Sequence, residues 1–363
     1  MAKKTNSEHK KILALDGGGI KGALTLGLLK RFEENLIEIH GKDYRLRDYF
    51  DLMGGTSTGS IIASGLAIGL TVDELKEKYF QLGEKVFGKK NILRFIFRGG
   101  WFAAKKLKEE LHNVFGNRKL DDPSIKDGAL AIFAKRIDTQ SLWIIYNNKE
   151  HKYWKYQKDY ILKESIRASS AAPTYFRAEE IDIKGDGSQI GDFIDGGLSV
   201  ANNPALNLFL LTTISNYGYN WPKGKENLSI YSFGTGKSIH ANLPKGLIKP
   251  IGWAKKATSV LMDDVSGFND VLLKILSHSN HPKRKVDSVL LEMNGVKITE
   301  EPLLNYYRYN VDFTKKSLNE DLGFNFTEKQ IKGIRKMDNP KYVKELYEIG
   351  YRAASQIEKT HIK

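Results

Sequence analysis

No cysteine occurs among the 363 residues. That excludes disulfides, thiolate zinc sites and a cysteine nucleophile together, and it fits a reducing, cytoplasmic compartment. Long apolar runs are missing too. The longest nearly apolar stretches, Ile61–Val72 and Ala205–Ile214, fall short of the ~20 residues that a membrane-spanning helix needs. The segment Met1–Lys11 is polar and basic with no apolar stretch behind it, so it is not expected to act as a signal peptide. Acidic charge is scarce: 43 Asp and Glu stand against 57 Lys and Arg, a formal net charge of +14. Such a surplus attracts anionic partners, either nucleic acid or an acidic lipid surface, without choosing between them. No helix-turn-helix, zinc or RRM signature is present, so nucleic acid is not expected. What remains is ordinary for a globular chain, 41% hydrophobic and 28% charged, with length for one large domain plus an extension.

The hydrophobic pattern alternates between two periods. Lys11–Leu15 reads as a buried strand, broken by Asp16-Gly17-Gly18-Gly19. From Gly22 to His40, Leu28, Phe32, Leu36 and Ile39 fall on one helical face. Tyr49–Met53 reads as a second strand ended by Gly54-Gly55, and Ser57–Leu66 as a second helix. Strand, glycine turn, helix, repeated, predicts a mostly parallel sheet covered by helices, a three-layer α/β/α architecture. Further strands are predicted at Ala129–Ala134, Leu142–Tyr146, Asp192–Ile194 and Leu228–Phe233, and helices at Ile161–Ser169, Leu206–Ile214 and Lys341–Ile357. A domain boundary is expected between Gly236 and Lys255, giving a catalytic unit over 11–240 and a basic, mainly helical extension over 241–363 packed on it.

Three short segments carry chemistry. Asp16-Gly17-Gly18-Gly19-Ile20-Lys21-Gly22 lies between a strand and a helix, where glycine N–H groups point at negative charge. Such a loop serves as a phosphate cradle or as an oxyanion hole. Gly17, Gly19 and Gly22 also fit G-x-G-x-x-G. The acidic partner which dinucleotide binding requires about 20 positions on would fall near Glu34 or Glu38, inside the predicted helix. Gly234-Thr235-Gly236-Lys237-Ser238 looks like part of a P-loop, but Tyr231 stands where the first glycine must be. Gly55-Thr56-Ser57-Thr58-Gly59 matches G-x-S-x-G in the strand-to-helix context of a nucleophile elbow. The competing reading makes Ser57 or Thr58 a plain helix cap.

A serine needs a base. The histidines (His9, His40, His112, His151, His240, His278, His281 and His361) include none in a turn after a strand, so a Ser-His-Asp arrangement is open but unsupported. Asp195-Gly196-Gly197 closes a short apolar strand, and a carboxylate can be the base if its surroundings raise its pKa. Taken alone, an ordinary Asp-Gly turn is the better explanation of that segment.

Together and in this order, these three segments resemble the patatin-like phospholipases. Ala168-Ser169-Ser170-Ala171-Ala172-Pro173-Thr174-Tyr175-Phe176, Asn202-Asn203-Pro204 and Ser232-Phe233-Gly234-Thr235-Gly236 extend the likeness over Lys11 to Lys237. The resemblance implies Ser57 as nucleophile and Asp195 as base of a dyad without histidine. It implies an oxyanion hole from the amides of Gly17, Gly18 and Gly19. It gives Gly55, Gly59, Lys21, Gly22 and Gly196 supporting roles in the elbow and loops. No metal and no cofactor are implied. Lys21 replaces the arginine common in relatives, which keeps the charge and loses the bidentate fork.

Lys85–Lys108 interleaves Lys89, Lys90, Arg94 and Arg98 with Phe87, Phe95, Phe97, Trp101 and Phe102, a mixture that suits docking on an anionic membrane or lidding the site, and equally a solvated loop whose aromatics pack into the core. The rest contains Lys283-Arg284-Lys285 and Tyr306-Tyr307-Arg308-Tyr309, which can bind a nucleotide or simply pack and pair. The resulting expectation is a lipid acyl hydrolase, peripherally membrane-associated when active. Its expected partners are an anionic phospholipid surface, a cyclic-nucleotide activator of antiphage type and a second copy of the chain. The alternatives are a catalytically silent lipid-binding relative and a nucleotide-binding protein.

Overall fold

The computed structural model describes residues 9–87, 104–173, 175–238, 250–278 and 298–362. Most of the basic and aromatic stretch in Lys85–Lys108, and all of Lys283-Arg284-Lys285, lie outside them.

An eight-stranded sheet organises the chain, in the order β5-β6-β3-β2-β1-β7-β8, with β4 on β3. Strands β1 (Lys10–Leu15), β2 (Leu52–Thr56), β3 (Leu130–Arg136), β7 (Leu228–Phe233) and β8 (Asn305–Tyr309) run parallel. Strands β4 (Ser141–Tyr146) and β6 (Ile190–Asp195) pair antiparallel with β3, and β5 (Glu179–Asp182) antiparallel with β6. Both faces are covered, as the parallel part requires. In β1, Leu13 and Leu15 enter one core while Ile12 and Ala14 enter the other. In β8, Tyr307 and Tyr309 join the first core and Tyr306 the second.

The first layer holds α1 (Gly22–His40), the one-turn α2 (Leu46–Tyr49), α3 (Thr58–Ala67), α4 (Val72–Phe87), α5 (Ala104–Phe115) and α7 (Leu162–Ser169), with the one-turn α6 (Trp154–Gln157) at its margin. The second layer is α8 (Ala205–Thr213) and the long α9 (Pro250–Leu276). The C-terminal region is helical as expected, with α10 (Glu328–Ile334) and α11 (Val343–Ala353), and it also supplies the edge strand β8. Helix α11 crosses α1 nearly backbone to backbone: a Cβ on Gly350 would lie 2.0 Å from the Leu24 carbonyl oxygen. No helix among the described residues is long and apolar enough to cross a membrane.

Two departures from the sequence pattern have physical causes. Tyr49 ends a helical turn and β2 begins only at Leu52, so Gly54 and Gly55 lie within the strand rather than ending it. They are small because neighbours press on them: a Cβ on Gly54 would meet Leu208 at 2.5 Å, and one on Gly55 the Gly59 carbonyl at 2.1 Å. Strand β8 hides behind its composition, since three tyrosines and an arginine show no apolar strand pattern, yet Tyr306 and Tyr309 are fully buried.

Candidate active site

The register of β3 brings the predicted serine and aspartate together. Strand β4 occupies one edge of β3 from Ala131 to Arg136. Strands β2 and β6 therefore share the other edge, end to end, with Thr56 opposite Phe133 and Asp195 opposite Ala134. The residue that leaves β2 and the residue that ends β6 thus meet. The Ser57 Oγ donates to Asp195 Oδ2 at 2.6 Å.

Ser57 sits at φ 53°, ψ −120°, positive φ for a non-glycine residue, between β2 and the N-terminus of α3. Such a conformation costs on the order of 1–3 kcal/mol and persists only where the surroundings impose it. Here they do. The Ser57 N–H donates to Ser169 Oγ at 2.9 Å, and Ser169 Oγ donates to the Phe133 carbonyl at 2.6 Å. The Ser57 carbonyl accepts from Ser60 Oγ at 2.6 Å. The sharp turn needs Gly59, where a Cβ would stand 2.2 Å from the Leu15 carbonyl. Ser169 belongs to the Ala168–Phe176 signature, so that motif anchors the turn on β3; Thr174 within it is outside the described residues.

Asp195 is 5% exposed. Burial raises its pKa to about 6, against the lowering pull of the Ser57 hydroxyl, the Gly197 amide at 2.7 Å and the Arg167 guanidinium. Arg167 is itself buried, stacked over Phe176 and donating to the Arg177 carbonyl at 2.9 Å. Gly196 follows Asp195 against the β3 backbone, 2.2 Å from Cβ to the Phe133 carbonyl were a side chain present. A hydroxyl bonded to a buried carboxylate with elevated pKa is the arrangement a nucleophile and its base require. No histidine makes a hydrogen bond to either group among the described residues: His151 stacks on Tyr146, and His361 bonds to the Tyr309 hydroxyl at 3.0 Å.

The glycine loop faces this pair. Gly19 takes φ +57°, and a Cβ on Gly17 would fall 3.5 Å from the Ser57 Cβ. The Gly17 amide donates to the Asn202 carbonyl at 3.0 Å, which removes it from the free donors. The amides of Gly18 and Gly19 meet no acceptor among the described residues. Lys21 is buried, with burial lowering its pKa and Asp263 and Asp16 opposing. Gly22 lies against Thr58, where a Cβ would be 2.4 Å from Oγ1.

Several residues that hold the loop carry no motif. Arg308 of β8 grips Asp16 with both nitrogens, at 2.8 and 2.5 Å, and donates to Ser232 Oγ at 2.8 Å. Burial raises the Asp16 pKa while Arg308 lowers it. The tyrosine-arginine cluster at 306–309 therefore packs and pairs. The Ile20 amide donates to the Met337 carbonyl at 2.9 Å, and Thr235 Oγ1 to the Gly17 carbonyl at 2.9 Å. Tyr79 joins loop to turn, donating to the Gly19 carbonyl and bonding Thr58 Oγ1 at 2.5 Å. Nothing in local sequence marks Arg308, Met337 or Tyr79, because each acts across a long separation.

Comparison with known proteins places these features. The family model described as patatin-like phospholipase matches residues 13–209. The chain is 31% identical over 208 residues to patatin-like protein 2 of Oryza sativa subsp. indica, covering 54% of this chain and 51% of that protein. It is 28% identical over 264 residues to a cGAMP-activated phospholipase of Vibrio cholerae, covering 68% and 71%. It is 31% identical over 254 residues to the 85/88 kDa calcium-independent phospholipase A2 of Rattus norvegicus, covering 63% and 28%. The chain thus spans about half the length of the plant relatives it matches.

Proposed function

The chain belongs to the patatin-like phospholipase family, and from that premise we propose that it is a serine lipid acyl hydrolase working without a metal ion. The observation that carries the reading is the 2.6 Å bond from Ser57 Oγ to the buried Asp195 carboxylate. In the proposed reaction Ser57 attacks the acyl carbonyl while Asp195 takes its proton. The amides of Gly18 and Gly19 hold the oxyanion, with the positive end of α3 nearby. Proton return to the leaving oxygen releases lysolipid and leaves acyl-Ser57. Water, giving its proton to Asp195, then frees the fatty acid. In this scheme residues 11–240 carry the reacting groups, and Arg308 and Met337 of the C-terminal extension brace the glycine loop. The substrate is phospholipid at an anionic surface, a choice supported by the +14 net charge.

The test is fatty-acid release from mixed phospholipid vesicles in the presence of chelator. Ser57→Ala and Asp195→Asn should each lower the rate by orders of magnitude. Full activity in Ser57→Ala would end the proposal.

A second reading concerns control. The match to the Vibrio cholerae protein covers about two thirds of both chains, and it supports activation by a cyclic nucleotide. Release should then be low alone and rise when a cyclic dinucleotide is added. A fully active enzyme without one would count against this reading.

A further inference from the structure

We infer that Asn202 is a positioning residue for the water that hydrolyses acyl-Ser57, its side-chain oxygen accepting a hydrogen bond from the water O–H that does not go to Asp195. The inference rests on the acyl-enzyme reading above.

Asn202 is 7% exposed, and its side-chain oxygen meets no donor among the described residues. An unpaired buried acceptor is costly, on the order of 1–3 kcal/mol, and calls for an explanation. Its orientation is fixed by its neighbour. Ser266 of α9 donates its hydroxyl proton to the Met262 carbonyl one turn back, at 2.7 Å. With that proton committed, Ser266 accepts from Asn202, and only the amide nitrogen can donate, at 2.9 Å. The amide oxygen therefore faces the opposite way.

That way is the reacting pair. The Asn202 oxygen lies 2.9 Å from where a Gly197 Cβ would be, a point 3.0 Å from Asp195 Oδ1. It lies 2.7 Å from where a Gly17 Cβ would be, a point 3.5 Å from the Ser57 Cβ. The bare acceptor thus lies within about 6 Å of both the carboxylate and the Ser57 Cβ, a span that one bridging water covers. The residue is held firmly, since its carbonyl also receives the Gly17 amide at 3.0 Å.

Deacylation has a use for such an oxygen. Water carries two protons. One passes to Asp195 as the water oxygen bonds to the acyl carbon, and Asp195 returns a proton to Ser57 Oγ as the ester bond breaks. The second proton stays with the product and needs an acceptor that aims the lone pair at the carbon. Acylation has no such need, because the serine hydroxyl has one proton and gives it to Asp195. Methanol, likewise, has a single hydroxyl proton for Asp195 and none for Asn202.

This asymmetry supplies the experiment. Full-length enzyme is turned over on phospholipid vesicles in buffer containing methanol, with cyclic dinucleotide added if needed, and methyl ester and free acid are quantified. Both products come from the same acyl-enzyme, so their ratio is independent of the rate of its formation. Asn202→Ala should move the ratio towards methyl ester by about tenfold, the worth of one hydrogen bond. Asn202→Asp keeps an acceptor oxygen but gives up the amide bond to Ser266, so it should shift the ratio less than Asn202→Ala does. If Asn202→Ala is too unstable to assay, Ser266→Ala frees the amide to rotate and should shift the ratio the same way by a smaller factor. An unchanged ratio in Asn202→Ala, or equal shifts in the alanine and aspartate variants, overturns the inference. Ser57→Ala should lose both products together; acid release retained in that variant removes both the dyad reading and this one.

Discussion

The serine turn and the glycine loop face each other across the site, yet they are held in different ways. The turn is secured from nearby secondary structure: Ser169, the Phe133 carbonyl and the close packing of Gly55 and Gly59, all within the 13–209 stretch that the family model covers. The loop is held within that stretch by Tyr79 and the Asn202 carbonyl, but it also depends on residues beyond it, namely Arg308, Met337 and Thr235. The positive φ of Ser57 is strain, and a strained turn is best imposed by its immediate neighbours. A loop that offers free N–H groups cannot spend them on local bonds, so its support comes from side chains and carbonyls elsewhere.

This contrast can be broken from either side. The largest effect is expected at Arg308. Arg308→Leu leaves Asp16 buried and unpaired, which should cost about 3–5 kcal/mol and show as a lowered melting midpoint. The double variant Asp16→Leu with Arg308→Leu removes the stranded charge. It should recover much of the midpoint without recovering activity, since the loop has lost its tether; recovered activity would show that the loop holds itself. Next comes Gly59→Ala, which drives a methyl into the Leu15 carbonyl. A loss of about 1–3 kcal/mol should accompany loss of turnover, and here no substitution in 241–363 should compensate.

The pH profile follows. Asp195 must be ionised to accept a proton, and burial raises its pKa to about 6. Fatty-acid release should be full above that value and fall by about tenfold per unit below it. A profile flat down to pH 4 would show that Asp195 is not the base. The same shift acts oppositely on folding. A carboxyl whose folded pKa exceeds its unfolded value favours the fold below the unfolded pKa, and that contribution is lost as pH rises through about 6. The smallest effect belongs to Thr235→Val, which removes one bond to the Gly17 carbonyl. About 1 kcal/mol of stability and a modest drop in turnover should follow, measured by melting and initial rate.

What could be read from sequence tracks the same divide. Strand-glycine-helix alternation gave β1, α1, α3 and the parallel sheet because each element buries a periodic apolar face. G-x-S-x-G and Asp-Gly-Gly were visible because sharp turns demand small residues at fixed offsets. Strand β8 was not visible, since Arg308 and its tyrosines gain their meaning only beside Asp16 and the two cores. Nor was the commitment of the Gly17 amide to Asn202, or the free oxygen of Asn202, because both depend on where the turn after β6 is carried by Phe133 and α9.

The sharing of one edge of β3 by β2 and β6 bears on how the molecule acquires activity. Ser57 and Asp195 are 138 positions apart in the chain, and each is brought to the other only by pairing with adjacent residues of a third segment. Closing such distant contacts is slow compared with forming helices. During refolding, hydrolysis should therefore trail the recovery of helical signal, and a chain paused in synthesis before Asp195 would carry a completed serine turn with nothing to draw its proton. Under the proposed mechanism, hydrolysis stays silent until the sheet has closed.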